Sequence, residues 1–238
     1  MDIKDKVVLI TGGTKGIGLG IAEAILSAGG KVAITGRSAD TVSHVAERLN
    51  SEYKDCTLGL VADVRKLEDQ KIVVKSITAK WGKIDVAIAN AGVGHFASIE
   101  DLTPAQWNEV IDVNLTGPFN TLKATLEELK KTKGYYITIA SLAGTNFFAN
   151  GSAYNASKFG LVGFTQAVML DLRKSGIKVS TIMPGSVATY FNNHVPSEQD
   201  AWKIQPEDIG KLVIDLLTMH PRTLPSKIEV RPSIPGGR

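Results

Sequence analysis

Tyr154 and Lys158 are the two residues whose types and spacing most clearly predict chemistry. They are four residues apart, so a helix would carry both on one face, one turn from each other. A free tyrosine has a pKa of about 10 and is a poor base near neutral pH. A neighbouring ammonium group stabilises the phenolate and lowers that pKa. The pair therefore predicts a tyrosine that exchanges a proton with the oxygen of a carbonyl or an alcohol.

Ser141 is a candidate for the same site because it follows a short apolar run that is typical of a buried strand. Ligands of open α/β sheets bind beyond the carboxyl ends of the strands. We expect the Ser141 hydroxyl to hydrogen-bond the substrate oxygen and to orient it beside Tyr154. The alternative for a single serine in this position is an ordinary turn residue.

Asn114 lies within a helical pattern that Pro118 interrupts. Proline has no N–H group to donate to the carbonyl four residues earlier, which is that of Asn114. We expect a local kink that frees this carbonyl to hold a water, and the water would relay protons between Lys158 and solvent. A kink that serves packing alone is the alternative.

The elements that must position these side chains are short β-branched runs that alternate with longer helical patterns. The runs are nearly all apolar, as is typical of strands covered on both faces. They are Val7–Thr11, Lys31–Thr35, Thr57–Ala62, Ile84–Ala89, Tyr135–Ala140, Lys178–Met183 and Lys227–Val230. Helical spacing covers Ile17–Ala28, Ala39–Tyr53, Leu67–Trp81 and Ser152–Lys174.

This alternation predicts a Rossmann-type, doubly wound α/β fold with about seven parallel strands and helices on both faces. We find no linker or repeat, so residues 1–238 are expected to form a single dinucleotide-binding and catalytic domain. A short substrate loop is expected at about 190–204. The last residues, 232–238, are rich in Pro and Gly and are predicted to be a flexible tail.

A glycine-rich turn follows the first predicted strand and opens the first predicted helix. Glycines let the backbone turn tightly and approach a pyrophosphate, and the helix N-terminus offers free N–H groups. A turn without a ligand is the alternative, but this one occupies the context that the binding mechanism requires. The candidate cofactor contacts here are Gly12, Thr14, Lys15, Gly16, Ile17 and Gly18.

Arg37 follows the second predicted strand, where a site that prefers NAD would carry Asp or Glu to hold the ribose 2′-hydroxyl. An arginine can instead bind a 2′-phosphate in bidentate fashion. Lys15 would add a second positive charge. The sequence thus predicts NADP(H) in preference to NAD(H), unless both residues are only solvated surface charges.

Two further turns at the same sheet edge fit a dinucleotide. Asp63 and Val64 follow the third strand, where a carboxylate could accept from the adenine amine. Asn90, Ala91 and Gly92 follow the fourth, where small residues would let the backbone lie against the cofactor. Plain turn chemistry is the alternative for either set.

Charge and cysteine content exclude several classes of function. The net charge of +3 is too small to indicate a nucleic-acid partner. Cys56 is the only cysteine, so the chain predicts no internal disulfide and no cysteine metal cluster, and the histidines show no ligand spacing. The first apolar run has only five residues, too short to span a membrane. A cytoplasmic protein with neither a metal nor a membrane partner is the expectation.

Taken together, these motifs resemble those of the short-chain dehydrogenase/reductase family from Val7 to about Val230. They are Thr-Gly-x-x-x-Gly-Ile-Gly at Thr11–Gly18, Asn-Ala-Gly at 90–92, Asn114, Ser141, Tyr-x-x-x-Lys at 154–158, and Pro184-Gly185 followed by Val187 and Thr189. The nearest subgroup looks like bacterial 3-oxoacyl-carrier-protein reductases and related small carbonyl reductases. The sequence departs from the family at Ala89, where many members have Asn, in the short 190–204 stretch and at its C-terminal end.

The resemblance implies a catalytic tetrad of Asn114, Ser141, Tyr154 and Lys158. It implies that Tyr154 and Lys158 also contact the cofactor. It further implies cofactor contacts from the loop after the sixth strand, at Pro184, Gly185, Val187 and Thr189. Family members commonly pair across a two-fold axis, so a homodimer or homotetramer is expected.

Residues that flank these motifs in loops are candidates for the substrate pocket. Those predicted to contact substrate are Gly94, His95, Phe147, Phe148 and Tyr190, with Val93, Phe96 and Phe191 as further neighbours. An apolar pocket for a medium-sized ketone or acyl chain would suit them, and core packing is the alternative. His95 could hydrogen-bond a substrate or be a solvated loop residue.

The function predicted from the sequence is NADP(H)-dependent reduction of a ketone or aldehyde, including a 3-oxoacyl thioester, with Tyr154 as general acid and base. One alternative is an alcohol, sugar or steroid dehydrogenase that runs in the oxidative direction. A second is an epimerase or dehydratase. A third is a non-catalytic NADP(H)-binding sensor on the same fold.

Overall fold

The computed structural model describes residues 2–234, so most of the predicted tail at 232–238 lies outside the described residues. Within these residues, seven strands and seven α-helices form a single domain, with one helix between successive strands except between β4 and β5, where there are two. The strands are β1 (Val7–Thr11), β2 (Lys31–Gly36), β3 (Thr57–Val61), β4 (Val86–Ala89), β5 (Tyr135–Ile139), β6 (Lys178–Pro184) and β7 (Lys227–Val230). The helices are α1 (Gly16–Ser27), α2 (Ala39–Glu52), α3 (Leu67–Trp81), α4 (Pro104–Ile111), α5 (Gly117–Thr132), α6 (Ser152–Leu172) and α7 (Pro206–Thr218).

All seven strands pair in parallel in one sheet, in the order β3-β2-β1-β4-β5-β6-β7. The predicted doubly wound fold is therefore confirmed, and the bounds of the predicted strands agree with the structure to within two residues. The chain reverses direction across the sheet between β1 and β4. This topological switch point opens a crevice at the carboxyl ends of the two strands, where ligands of such sheets bind.

Apolar side chains cover both faces of the sheet because successive strand residues point to opposite sides. In β1, Val8 and Ile10 pack with residues of α1, α2 and α7, whereas Val7 and Leu9 pack with residues of α3, α5 and α6. Both faces are therefore buried, which is why the strands consist of nearly continuous apolar runs rather than alternating ones.

The helix that carries Asn114 changes its geometry midway. α4 begins at a capping box in which Thr103 and Gln106 satisfy each other's backbone N–H groups. A π-helical turn, Asp112–Thr116, then joins α4 to α5, and the Gly117 N–H donates to the Asp112 carbonyl. Regular α-helical geometry is therefore interrupted beside Pro118, and the predicted release of the Asn114 carbonyl to hold a water stays a prediction.

A buried carboxylate, that of Asp200, holds the segment between β6 and α7 together. Asp200 is 5% exposed and accepts from His194 Nε2 and Lys203 Nζ, both at 2.6 Å, and from the Ser197 N–H at 3.0 Å. An isolated bridge between Val187 and Ile204 joins the two ends of this segment. The segment therefore folds back on itself as a compact loop.

None of the helices between residues 2 and 234 has the length and apolar character needed to cross a lipid bilayer.

Candidate active site

The glycine-rich turn and the loop after β4 meet at the switch point. Gly12 has φ +64°, and a Cβ there would lie 2.9 Å from the Ala91 Cα. A Cβ on Gly18 would lie 2.4 Å from the Gly12 carbonyl oxygen. The Asn90 side chain donates to the carbonyls of Thr11 and Gly12 at 2.9 and 3.1 Å. Only glycine fits the two close approaches, and they leave the N-terminus of α1 facing the crevice.

A cavity of about 690 Å³ extends along the carboxyl edge of the sheet from this turn. All the residues that the sequence predicts as cofactor contacts line it, except Gly18, which lies behind the turn. They are Gly12, Thr14, Lys15, Gly16, Ile17, Arg37, Asp63, Val64, Asn90, Ala91, Gly92, Tyr154, Lys158, Pro184, Gly185, Val187 and Thr189. Its volume, the helix terminus and the close backbone walls fit a dinucleotide.

The β2 end of this cavity carries the charged side chains. Arg37 is more than half exposed, and its Nη1 lies 3.8 Å from Glu109 Oε1, a loose ion pair that leaves the guanidinium free to turn. The Asp63 carboxylate is bound by Arg65, whose hydrogen bond holds the pKa of Asp63 below its usual value. Asp63 therefore remains an ionised hydrogen-bond acceptor at the cavity wall.

Tyr154 and Ser141 come together where α6 passes the end of β5. Both residues line the same cavity, and the Ser141 hydroxyl accepts from the Ala143 N–H at 3.1 Å. Burial raises the pKa of the Tyr154 phenol, and the neighbouring Ser141 hydroxyl lowers it by less. Tyr154 is thus a protonated phenol at neutral pH, which is the form that can donate a proton to a carbonyl oxygen.

Lys158 lies beneath Tyr154 and is 4% exposed. Its Nζ donates to the Ile139 carbonyl at 3.1 Å and lies 5.6 Å from the centroid of the Tyr154 ring. Burial lowers the pKa of the Lys158 ammonium from 10.5 to about 8, because desolvation penalises the charged form. The group remains mostly charged at pH 7. The sequence predicts that this ammonium lowers the pKa of Tyr154, whereas in the structure burial of the phenol outweighs any such effect and the pKa is raised.

The buried ammonium predicts a pH-dependent cost in stability. The pKa of Lys158 is lower in the folded protein than in the unfolded chain. The unfavourable contribution of its charge to the folding free energy is therefore complete below about pH 8, and it disappears as the pH rises towards 10.5. It corresponds to about 3 kcal/mol, offset by about 1 kcal/mol for the hydrogen bond to Ile139. We expect Lys158→Met to raise the free energy of unfolding at pH 7, with a much smaller gain at pH 10.

Urea unfolding of wild type and variant at the two pH values measures this difference. Lys75→Met, at an exposed position of α3, is the matched control and should show no such dependence. A gain from Lys158→Met that is equal at both pH values would contradict the burial argument.

Asn114 acts on the loop after β4 rather than on Lys158 directly. Its side-chain Oδ1 accepts from the Val93 N–H at 2.8 Å, and its Nδ2 donates to the Val93 carbonyl at 2.8 Å. Nδ2 also contacts Ser157 Oγ at 3.1 Å. The side chain therefore ties the wall of the cofactor cavity to α6, beside the lysine.

Several predicted substrate residues surround the Tyr154 ring. Phe96 contacts Tyr154, Phe148 and Phe191, with ring centroids 5.5, 5.8 and 6.3 Å apart. Phe191 also contacts Tyr154, at 5.7 Å, and lies against Gly94. These rings form an apolar enclosure beside the reactive hydroxyl.

The other predicted substrate residues lie farther out. Tyr190 is on the wall of the large cavity and half exposed. His95 is bound through Nε2 to Glu109 at 2.8 Å and lines neither of the cavities. Phe147 is 84% exposed and stacks on Phe159 at 6.4 Å, away from Tyr154. The neighbouring Phe148 points the other way, which periodicity within a loop cannot predict.

A second, smaller cavity of about 570 Å³ lies on the other side of the two hydroxyls, and we call it the substrate-side cleft. Phe148 lines it, as does Trp202, which lies within the predicted substrate loop at about 190–204. Arg231 also lines it and was missed by the sequence interpretation, because it lies in a distant segment that no local pattern connects with the site. Asn155 was missed too, although it lies inside the Tyr-x-x-x-Lys motif. Its Nδ2 donates to the carbonyls of Ala143 and Asn146 at 2.8 Å, which fixes the loop after Ser141.

Within residues 2–234, no three His, Cys, Asp or Glu side chains form a group that could hold a metal ion.

Comparison with known proteins identifies the family. The model of the short chain dehydrogenase family matches residues 6–200, so the chain belongs to that family, as its motifs predict. It is 32% identical over 232 residues to an uncharacterized oxidoreductase of Staphylococcus aureus, covering 97% of this chain and 98% of that protein.

Solved structures agree with this assignment. An alcohol dehydrogenase of the archaeon Thermococcus sibiricus, complexed with 5-hydroxy-NADP, superposes with a TM-score of 0.91 at 29% identity over 97% of both chains. A 3-ketoacyl-(acyl-carrier-protein) reductase of Brucella melitensis, complexed with NADH, superposes with a TM-score of 0.88 at 25% identity, covering 97% of this chain and 98% of that one. The protein is thus an oxidoreductase of this family, and its fold is that of proteins that bind a nicotinamide cofactor.

Proposed function

We propose that this protein is an NADP(H)-dependent reductase of a ketone or aldehyde. The observation that carries the proposal is the position of the Ser141 and Tyr154 hydroxyls, which line both the large cavity and the substrate-side cleft. A carbonyl oxygen between the two hydroxyls would have the cofactor on one side and its own substituents on the other. When bound, the nicotinamide supplies or accepts the hydride.

The protein's own residues would handle the oxygen and its proton. Ser141 orients the carbonyl oxygen by a hydrogen bond, and Tyr154 donates its phenolic proton as negative charge develops there. The Lys158 ammonium stabilises the resulting phenolate. Because burial keeps Tyr154 protonated, the phenol is in the form that acts as the acid in reduction, and the same group would accept the proton in the reverse reaction.

Proton return to Tyr154 is the proposed role of the Asn114 turn. Its π-helical geometry departs from α-helical pairing, and Pro118 lacks the N–H that an α-helix would supply to the Asn114 carbonyl. A water on that carbonyl would connect Lys158 with solvent. The amide side chain, already bonded to Val93, keeps the carbonyl fixed.

Preference for NADP(H) is supported by Arg37 and Lys15 on the wall of the large cavity. The loose contact between Arg37 and Glu109 would give way to a bidentate bond with a 2′-phosphate. The Thermococcus enzyme is complexed with an NADP derivative, whereas the Brucella reductase is complexed with NADH, so the chemistry of this chain's own side chains carries the preference.

A homodimer or homotetramer is part of the proposal. Trp107, Phe119 and Phe159, on α4, α5 and α6, are each more than a third exposed. Large apolar side chains on neighbouring helices are typical of an isologous interface.

The function is tested by following NADPH oxidation, beside NADH, with a panel of 3-oxoacyl thioesters, aromatic aldehydes, diketones and quinones. We expect turnover with NADPH strongly preferred. Tight NADPH binding without turnover of any compound would instead support a non-catalytic sensor, and turnover only with NADP⁺ and alcohols would support an oxidative dehydrogenase.

A further inference from the structure

The substrate-side cleft is built from three segments that are far apart in the sequence. The loop after β5 supplies Leu142 and Phe148, the compact loop before α7 supplies Trp202, and the segment after β7 supplies Arg231 and Pro232. Together with Ser141 and Tyr154 these residues form a mostly apolar space of about 570 Å³, which suits a medium-sized organic molecule.

The segment that carries Arg231 is held against the active site by its main chain. The Gly185 N–H donates to the Val230 carbonyl at 2.8 Å. A Cβ on Gly185 would lie 3.3 Å from Pro232 Cδ, so this segment packs closely on the loop after β6. The position of Arg231 relative to the cleft therefore follows from backbone contacts and not from its own flexible side chain.

The opposite wall is fixed as well. Trp202 lies between Asp200 and Lys203, whose ion pair at 2.6 Å is partly buried. The Gln205 side chain donates to the carbonyls of Asp200 and Lys203 at 3.1 and 2.9 Å, on either side of the tryptophan. The loop that places Trp202 at the cleft is therefore held by an ion pair and two hydrogen bonds.

Arg231 carries the only charge among the described residues that line the cleft. Its Nη2 contacts Glu229 at 3.0 Å, and both side chains are more than a third exposed. A solvent-exposed pair of this kind contributes little to stability, so the guanidinium can exchange Glu229 for another anion. A planar guanidinium with several N–H donors matches a carboxylate in particular.

We propose that the substrate is an oxo acid, a carbonyl compound with an aromatic or apolar body and a carboxylate that Arg231 binds. The carbonyl lies between Ser141 and Tyr154, the body lies against Phe148 and Trp202, and the carboxylate lies at the Arg231 end of the cleft. This inference rests on the proposed reductase function and specifies its substrate class.

A matched pair of probes tests it, 4-formylbenzoate and its uncharged methyl ester. Calorimetric titration in the presence of NADP⁺ measures the affinity of each, and NADPH oxidation measures kcat/KM. We expect wild type to bind the acid at least about 10-fold more tightly than the ester, as a charged hydrogen bond allows. Arg231→Gln should remove that preference and leave the ester and NADPH affinities within about two-fold. Arg231→Lys should retain part of it.

Arg222→Gln, at an exposed arginine outside the cleft, is the control and should leave both affinities unchanged. Equal binding of acid and ester by wild type, no binding of the acid, or an equal loss of both probes in Arg231→Gln would overturn the proposal. Failure of the reductase function would look different, because the acid would still bind through Arg231 while no carbonyl compound consumed NADPH. Conversely, turnover of neutral carbonyls without preference for the acid would leave the function intact and remove the carboxylate site.

Discussion

Tyr154→Phe is expected to lower kcat for carbonyl reduction by about 10²–10⁴-fold, the range that a positioned general acid contributes. The ring remains, so its contacts with Phe96 and Phe191 persist and the enclosure keeps its shape. Only the phenolic hydroxyl, the proposed proton donor, is lost. NADPH affinity should change by less than about three-fold, because the phenolic oxygen makes at most one of many cofactor contacts.

Steady-state NADPH oxidation and calorimetric NADPH binding separate these two effects. Tyr53→Phe is the matched control, because this hydroxyl bonds Ser27 on the surface, outside both cavities. It should retain wild-type kcat. If Tyr154→Phe kept more than half of the wild-type kcat, Tyr154 would not be the proton donor, whatever the cofactor affinity.

Arg37→Asp is expected to lower the ratio of kcat/KM for NADPH to that for NADH by about 10²-fold. The substitution removes a charge-assisted bond to the 2′-phosphate, which contributes about 1.5–3 kcal/mol, and adds a repulsive carboxylate. A carboxylate at the end of β2 can also accept from a 2′-hydroxyl, so kcat/KM for NADH should stay constant or rise.

The same ratio in Arg48→Gln gives the control, because Arg48 pairs with Glu23 on α1 and lies outside the cavity. Lys15→Met should show a smaller decrease, since a lysine adds charge without bidentate geometry. An unchanged ratio in Arg37→Asp would mean that Arg37 is a solvated surface charge, and would leave the roles of Tyr154 and Lys158 unaffected.

Local sequence patterns were sufficient to predict the architecture. The strand runs are apolar because both faces of the sheet are covered, and the glycine turn connects β1 to α1 because no other residue fits Gly12 and Gly18. The Pro118 interruption predicted the departure from α-helical geometry at Asn114. Each of these features depends on neighbours within a few residues, or on burial that every strand shares.

The surroundings of the site depended on contacts between distant segments. The sequence could not distinguish Phe147, which stacks on Phe159 at the surface, from Phe148, which lines the cleft. Nor could it predict that His95 binds Glu109.

The amino-acid sequence by itself therefore determined the doubly wound fold and the family, and it indicated the candidate reactive side chains, because periodicity and motif spacing are local properties of the chain. Only the tertiary structure decided the environment of those side chains. It buries Lys158 deeply enough to lower its pKa to about 8, and it brings Trp202 and Arg231 to the cleft beside Tyr154. Desolvation and the shape of a cavity arise from residues that are far apart along the chain and meet only when it folds.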